Sequence, residues 1–307
     1  MATDQHVSVT EIIEALSSEK KLITTEANIA WGKCNFALSE PEIVKDFIMS
    51  SNIGIDYLNK TIANHFNKKN KRFNISFGGV FAHQRPYVKR LDPFKTGRPG
   101  TNPKEICELA DLVLINVYLD ANRNIIHSNA SLFQAKKDEK KISNKTQELL
   151  YDYDHKFEYD ALSFYQKTAC GHGLRELPHW DRNRSTALQY LLLNSSNPLK
   201  TMVRQSPWPV DHKHEFGFYL YRMLTCSAGK PFSYALRSNG KWSSIIFDLL
   251  NMAAGIMCGK PRASGELDII IDQVISADNN KEINEIDIGI PLIISIVQDK
   301  EYQLEMD

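Results

Sequence analysis

The feature that most constrains this chain is a pair of apolar runs held apart by a mostly polar link of five residues. Leu112-Val-Leu-Ile-Asn-Val-Tyr-Leu119 and Ile125–Lys136 flank Asp120-Ala-Asn-Arg-Asn124. Both runs carry the β-branched and aromatic content of strands, and the polar link is short enough to make them an antiparallel hairpin. The midpoint of that hairpin, at Asn122/Arg123, sets Asp111 nearly opposite Gln134. Directly opposed residues share a face, with Cβ atoms about 4.5–5.5 Å apart. Lys136 lies two residues on and shares that face about 7 Å away. A bulge around Ser128-Asn129-Ala130 would shift this register by one. With the register kept, a carboxylate, a carboxamide and an ammonium converge at one strand end.

That convergence has a chemical use. An Asp, Glu or Gln two residues before Lys occurs at Glu19, Gln134, Asp138, Glu139, Asp154, Asp211 and Gln298, but only Gln134 and Gln298 end an apolar strand. Mg²⁺, or Mn²⁺ in its place, takes hard oxygen ligands and tolerates few of them from protein. Asp111 and Gln134 are the expected side-chain ligands, and the Ala135 carbonyl supplies a third oxygen. Lys136 is the expected base or electrostatic partner for a metal-bound water, which is what phosphodiester hydrolysis requires. Glutamine in place of an acid removes one negative charge, so weaker metal binding is expected. Glu40, Glu42 and Asp56 are the candidates for a further acid, and the sequence does not choose among them.

Asp111 at the head of a strand, Gln134-Ala135-Lys136 after an apolar run, and a predicted helix over Ser143–Tyr153 together resemble the PD-(D/E)XK nuclease superfamily, in its Q-x-K variant. The resemblance covers residues 36–155. It implies a restriction-endonuclease-like mixed sheet flanked by helices, a divalent metal, and cleavage of DNA or RNA. Two departures stand out: the glutamine itself, and a spacing of 23 residues between the two motifs. The run from Cys107-Glu-Leu-Ala-Asp111 to Leu132-Phe-Gln-Ala-Lys136 is similar to effector nucleases of bacterial anti-phage defence.

Charge is uneven although the net is zero. From Lys60 to Lys104 there are eleven Lys or Arg against one acid, a net of +10, and from Glu266 to Asp307 eleven acids against two lysines, a net of −9. The basic segment suits a polyanion, and Arg85, Lys89 and Arg90, in a Pro/Gly-rich stretch read as a long loop over 85–102, are its candidate phosphate contacts. Nucleic acid, DNA in preference to RNA, is the expected partner, with a regulatory protein or a second copy as a further one. No apolar run reaches membrane length, no signal pattern opens the chain, and five scattered cysteines read as reduced thiols of a cytoplasmic protein.

The overall reading is an α/β (α+β) fold. Residues 1–200 form a nuclease-like core with N-terminal helices, and 201–307 a mostly helical elaboration ending in a strand, in the same domain or a second one. Helices are expected at Val9–Ser17, from the Ser39-Glu-Pro-Glu42 capping box to about Phe66, and at Ser185–Asn194, His214–Ser227 and Lys241–Cys258. Strands are expected at Ile75–Phe81, with Gly78-Gly79 as a weak point, and at Ile290–Val297. A rival site, Gln298-Asp-Lys300 with Glu266 or Asp268, suffers from its acidic surroundings. His212 and His214 as ligands, Cys170 with His172 or His179 as a nucleophilic pair, and base stacking by Phe157, Tyr159, Phe164 and Tyr165 are weaker candidates. A non-catalytic, nuclease-like scaffold subunit is the alternative function.

Overall fold

The computed structural model describes residues 8–84, 86–91, 106–138, 142, 144–160, 173–179, 184–253, 271–272 and 285–300. The chain opens with helices α1 (Val9–Ser17), α2 (Lys20–Gly32), α3 (Glu40–Met49), α4 (Gly54–Leu58) and α5 (Asn64–Lys69), the last two joined by one π-helical turn, Asn59–Ala63. Strands β1 (Phe73–Gln84), β2 (Tyr87–Leu91), β3 (Ile106–Glu108), β4 (Leu112–Leu119) and β5 (Ile125–Lys137) follow. Then come α6 (Lys145–Asp152), β6 (Lys156–Tyr159), β7 (Arg175–Glu176), α7 (Arg184–Ala187), β8 (Leu188–Leu193), β9 (Met202–Gln205) and β10 (Lys213–Glu215). The described part ends with α8 (Phe216–Leu224), β11 (Lys230–Pro231), α9 (Trp242–Ala253), β12 (Glu285–Gly289) and β13 (Leu292–Asp299).

The hairpin forms as its symmetry requires. Leu112 pairs with Phe133, Leu114 with Ser131 and Tyr118 with His127. The irregularity lies at Tyr118/Leu119, beside the turn, and not at Ser128–Ala130. Asp120 closes the turn by accepting the Asn124 N–H on Oδ1 (2.7 Å), with Arg123 in the left-handed region at φ 66°.

Around this hairpin the molecule builds one mixed sheet in the order β10-β9-β8-β5-β4-β13-β1-β12, with β11 added on β5. Strand β5 is antiparallel to β4 but parallel to β8, and β13 is parallel to β4 but antiparallel to β1. A smaller antiparallel sheet, β3-β2-β6-β7, packs against one face. Alternation along β5 explains the layering: Phe133 and Ala135 enter a core with α1–α5 and α8, whereas Ala130 and Leu132 enter a second core with α6, α9 and the small sheet. In the first core Trp31 stacks on Phe47 with ring centroids 4.1 Å apart. The Ser39–Glu42 capping box starts α3 as expected, with both of its reciprocal hydrogen bonds made.

The outer edge of β1 is finished by side chains. Asn59 and Asn67 each give one donor and one acceptor to a single strand residue. Asn59 Nδ2 donates to the Phe77 carbonyl (2.8 Å) and its Oδ1 accepts the Phe77 N–H (2.9 Å). Asn67 does the same with Ile75, at 3.0 and 2.7 Å. Two carboxamides thus stand in for a neighbouring strand until β12 takes over at Phe81.

Several expectations are corrected. Ser185–Asn194 is mostly strand: Leu188–Leu193 is a short apolar run that a buried parallel neighbour of β5 uses as well as a helix would. The stretch at 85–102 is not all loop, since Tyr87–Leu91 is a strand with Val88 and Arg90 pointing inward. Helix α2 had no expectation. Gly78-Gly79 interrupts nothing; the register with β13 is continuous, and Gly79 lets Ile55 pack where a Cβ would clash with it at 2.4 Å. Phe157 and Tyr159 are buried on a strand; Phe164 and Tyr165 lie outside the described residues. Residue 200 lies in the short turn that joins the paired strands β8 and β9, and β13 is an interior strand of the same sheet.

Candidate active site

The site lies where β4 and β5 part. Leu112 is the register partner of Phe133, and the Asp111 N–H also reaches the Phe133 carbonyl (2.8 Å). Two residues therefore stand across from one, a bulge that displaces Asp111 by one place from direct opposition to Gln134. The Asp111 carboxylate compensates by folding across the opening. Its Oδ2 accepts the Ala135 N–H at 2.7 Å and lies 4.0 Å from the Lys136 ammonium. The Asp111 side chain is 24% exposed and that of Lys136 only 7%. Lys136 donates to Gln147 Oε1 on α6 (3.2 Å), which fixes the direction of its stem.

Glu108, which sequence reasoning missed, stands beside them. Its register partner is Tyr87 on the adjacent strand, and its carboxyl feels Lys136 first, then Asp111 and Tyr87. Glu108 lies three residues before Asp111, across a bend between β3 and β4 that no periodicity marks. Burial pushes the Asp111 carboxyl up to about 7, against Lys136 and the Ala135 N–H, with the neighbouring charges of Glu108 and Glu40 adding to the rise. Burial likewise raises Glu108, opposed first by Lys136. Desolvated acids beside a specific cation make the fork a candidate functional site.

Of the three upstream acids, Glu40 is the one bonded to the strand end beside the fork. Glu40, in the first turn of α3, accepts the Lys137 N–H on Oε1 (2.5 Å), and Lys137 Nζ returns to the Leu38 carbonyl (2.8 Å). Glu42 is spent on its capping box with Ser39 and Asp56 on Asn52 and Lys60.

Gln134 has another posture. It is completely buried, and its Nε2 donates to the carbonyls of Glu108 and Leu109, each at 3.3 Å. Its Oε1 is buried without a hydrogen-bond partner among the described residues, as is the Tyr151 hydroxyl of α6. Its side chain is thus committed to the backbone that leads into Asp111.

Of the phosphate-contact candidates, Arg85 lies outside the described residues. Arg90 is corrected: it is 2% exposed and ion-paired with the equally buried Asp154, so its guanidinium does not face a polyanion. Lys89 is exposed on β2, on the outward face it shares with Tyr87, and so projects on the Glu108 side of the small sheet. Among the described residues of the basic segment, Lys60 is matched by Asp56, Lys69 by Glu19, and Arg72 by Glu11 and Asp299.

At the rival site Lys300 Nζ bonds the Asn70 carbonyl (3.4 Å) and Gln298 pairs with Asn74, while Glu266 and Asp268 lie outside the described residues. His212 and His214 bring their Nε2 atoms to 2.9 Å, with the Arg222 guanidinium 3.2 Å from His214, a cation where a metal would need to sit. Cys170 and His172 lie outside the described residues.

Among the described residues no three His, Cys, Asp or Glu side chains form a metal-binding group. The donors at the fork are two adjacent carboxylates, Asp111 and Glu108, beside the Ala135 backbone. That set fits a hydrated Mg²⁺ or Mn²⁺, which is commonly held by one or two carboxylates with water filling the other positions. Among the described residues no helix is long and apolar enough to cross a membrane. No family model, curated protein or solved structure matches the chain.

Proposed function

We propose that the chain is a divalent-metal-dependent nuclease of the PD-(D/E)XK type, acting on DNA in preference to RNA in the cytoplasm, with anti-phage defence as its setting. The observation that carries the reading is the placement of Lys136. Its ammonium is 4.0 Å from a raised, partly exposed aspartate at the opening of a strand pair, with its stem enclosed. A buried lysine held at a carboxylate in a fork is poised for work on an anion. Asp111 would hold the metal, which when bound lowers the pKa of its water and polarises the phosphoryl oxygen. Lys136 orients a nucleophilic water or offsets charge on the attacked phosphate, with Gln147 keeping the ammonium in place. Glu40 acts from behind through the Lys137 N–H, fixing the strand end that carries Lys136. Lys89 lies on the side from which a phosphate backbone would approach.

The test is plasmid and RNA incubated with Mg²⁺, Mn²⁺ or chelator. Metal-dependent cleavage by wild type, reduced at least a hundredfold in Lys136→Ala with an unchanged melting temperature, is expected. Full activity in a folded Lys136→Ala would end the assignment. The buried amide of Gln134 favours a second reading, a scaffold that keeps the architecture without catalysis. That reading prevails if wild type binds no divalent metal by calorimetry.

A further inference from the structure

A metal site of this kind calls for a second negative oxygen, and the chain has an amide at the expected place. We propose that Glu108 supplies the anionic ligand that residue 134 does not, and that Gln134 is the positioning residue that holds Glu108 there. The inference rests on the metal-dependent reading and concerns the same fork.

Two geometric facts carry it. The first is the direction of the Gln134 amide. Its Nε2 faces two carbonyl oxygens, those of Glu108 and Leu109, each at 3.3 Å. An amide nitrogen has two hydrogens to give; a carboxylate is acceptor only. Glutamate here would set oxygen against oxygen in a fully buried place. This backbone path therefore demands an amide at 134, and the residue is not a weakened acid.

The second fact is what that path delivers. The bonds clasp the segment immediately before β4, and Glu108 is its first clasped residue. Strand β3 pairs with β2 from Ile106 to Glu108, and the Leu109 N–H bonds the Pro86 carbonyl (3.1 Å); the Gln134 amide adds the side-chain tie at the end of that pairing, where the chain bends toward β4. Glu108 stands across from Tyr87 in the strand pair, three residues before Asp111, and the Lys136 ammonium, Asp111 and Tyr87 all act on its carboxyl. Two carboxylates are thereby presented three residues apart on one bend. The site keeps the charge count of a two-acid centre, with one acid moved from β5 to the entry of β4.

The discriminating experiment is Mn²⁺ titration by calorimetry, with melting temperature recorded for every variant. Wild type binds Mn²⁺. Glu108→Gln keeps its fold and loses at least tenfold in affinity, while Glu108→Asp stays within a fewfold of wild type. Gln134→Glu does not gain affinity, and Gln134→Glu in the Glu108→Gln background does not restore it, because the new carboxylate meets backbone carbonyls. Equal affinity in wild type and Glu108→Gln would overturn the inference while leaving the metal reading intact. Restoration of affinity by the charge exchange would likewise overturn it and return the ligand to position 134. If wild type binds no Mn²⁺, the metal reading fails and the inference with it.

Discussion

Replacing Asn67 by Ala tests the claim that side chains complete the edge of β1. The substitution removes two hydrogen bonds at once, the 2.7 Å bond from the Ile75 N–H and the 3.0 Å bond to its carbonyl. Each bond contributes about 1 kcal/mol net, and a strand group left without partner where water enters poorly costs about 1–3 kcal/mol. Because Asn67 is partly buried, water recovers some of this, and about 2–3 kcal/mol is expected for the single variant. Asn59→Ala, which frees Phe77, should cost a similar amount. The double variant should cost less than the sum, since the first loss already opens the edge to solvent. Asn64→Ala is the control: it is exposed and makes only a 3.5 Å contact to the Lys60 carbonyl. Urea denaturation at constant m-value measures the change, and gel filtration measures whether the opened edge recruits a second chain. Losses below about 0.5 kcal/mol for both Asn59 and Asn67 variants, with no self-association, would refute the reasoning.

Other outcomes follow from buried charge. Arg184, 1% exposed, donates Nε to the Tyr151 carbonyl (2.9 Å) and Nη2 to the carbonyls of Leu150 and Asp154, so Arg184→Ala should cost about 3–5 kcal/mol by uncapping α6, read by urea titration. Arg90→Ala strands Asp154 and should destabilise by a similar ~3–5 kcal/mol; at temperatures where the variant stays folded, its nucleic-acid affinity should match wild type in a filter-binding assay. For Asp111 the folded carboxyl holds its proton up to about 7 while the unfolded one releases it near the ordinary value of 3.8. Native protein then binds more protons than unfolded protein across that window, so metal-free stability contributed by this group is full below 3.8 and is lost as pH rises to about 7. The slope approaches ~1.4 kcal/mol per pH unit, and Asp111→Asn should flatten it in denaturation midpoints taken at pH 5 and 7.5.

How much of this was legible in the residues can be said element by element. The hairpin was, because two strand-length runs about a five-residue link leave little choice of register. Its one-residue displacement at Asp111 was not, since a bulge leaves no mark in the apolar pattern. Lys136 beside Asp111 could be read from periodicity, whereas Glu108 could not, because its approach depends on a bend outside any regular strand. Strand β8 looked helical because Leu188-Gln-Tyr-Leu-Leu-Leu193 is apolar on both faces and carries no alternation. Arg90 looked like a surface cation because its partner, Asp154, is 64 residues away in the chain.

The position of β13 has a consequence for how the molecule comes into being. Its interior slot, between β1 and β4, is filled by a segment that leaves the ribosome some 170 residues after β4. Until then the two strands that will flank it have unpaired N–H and C=O groups along the edges that face the slot. Assembly of the main sheet is therefore a late event dominated by long-range closure, which is slow. A fragment cut at residue 200 would carry the Asp111 fork without the interior plank beside it, and should be recovered as aggregate, not as a minimal active unit.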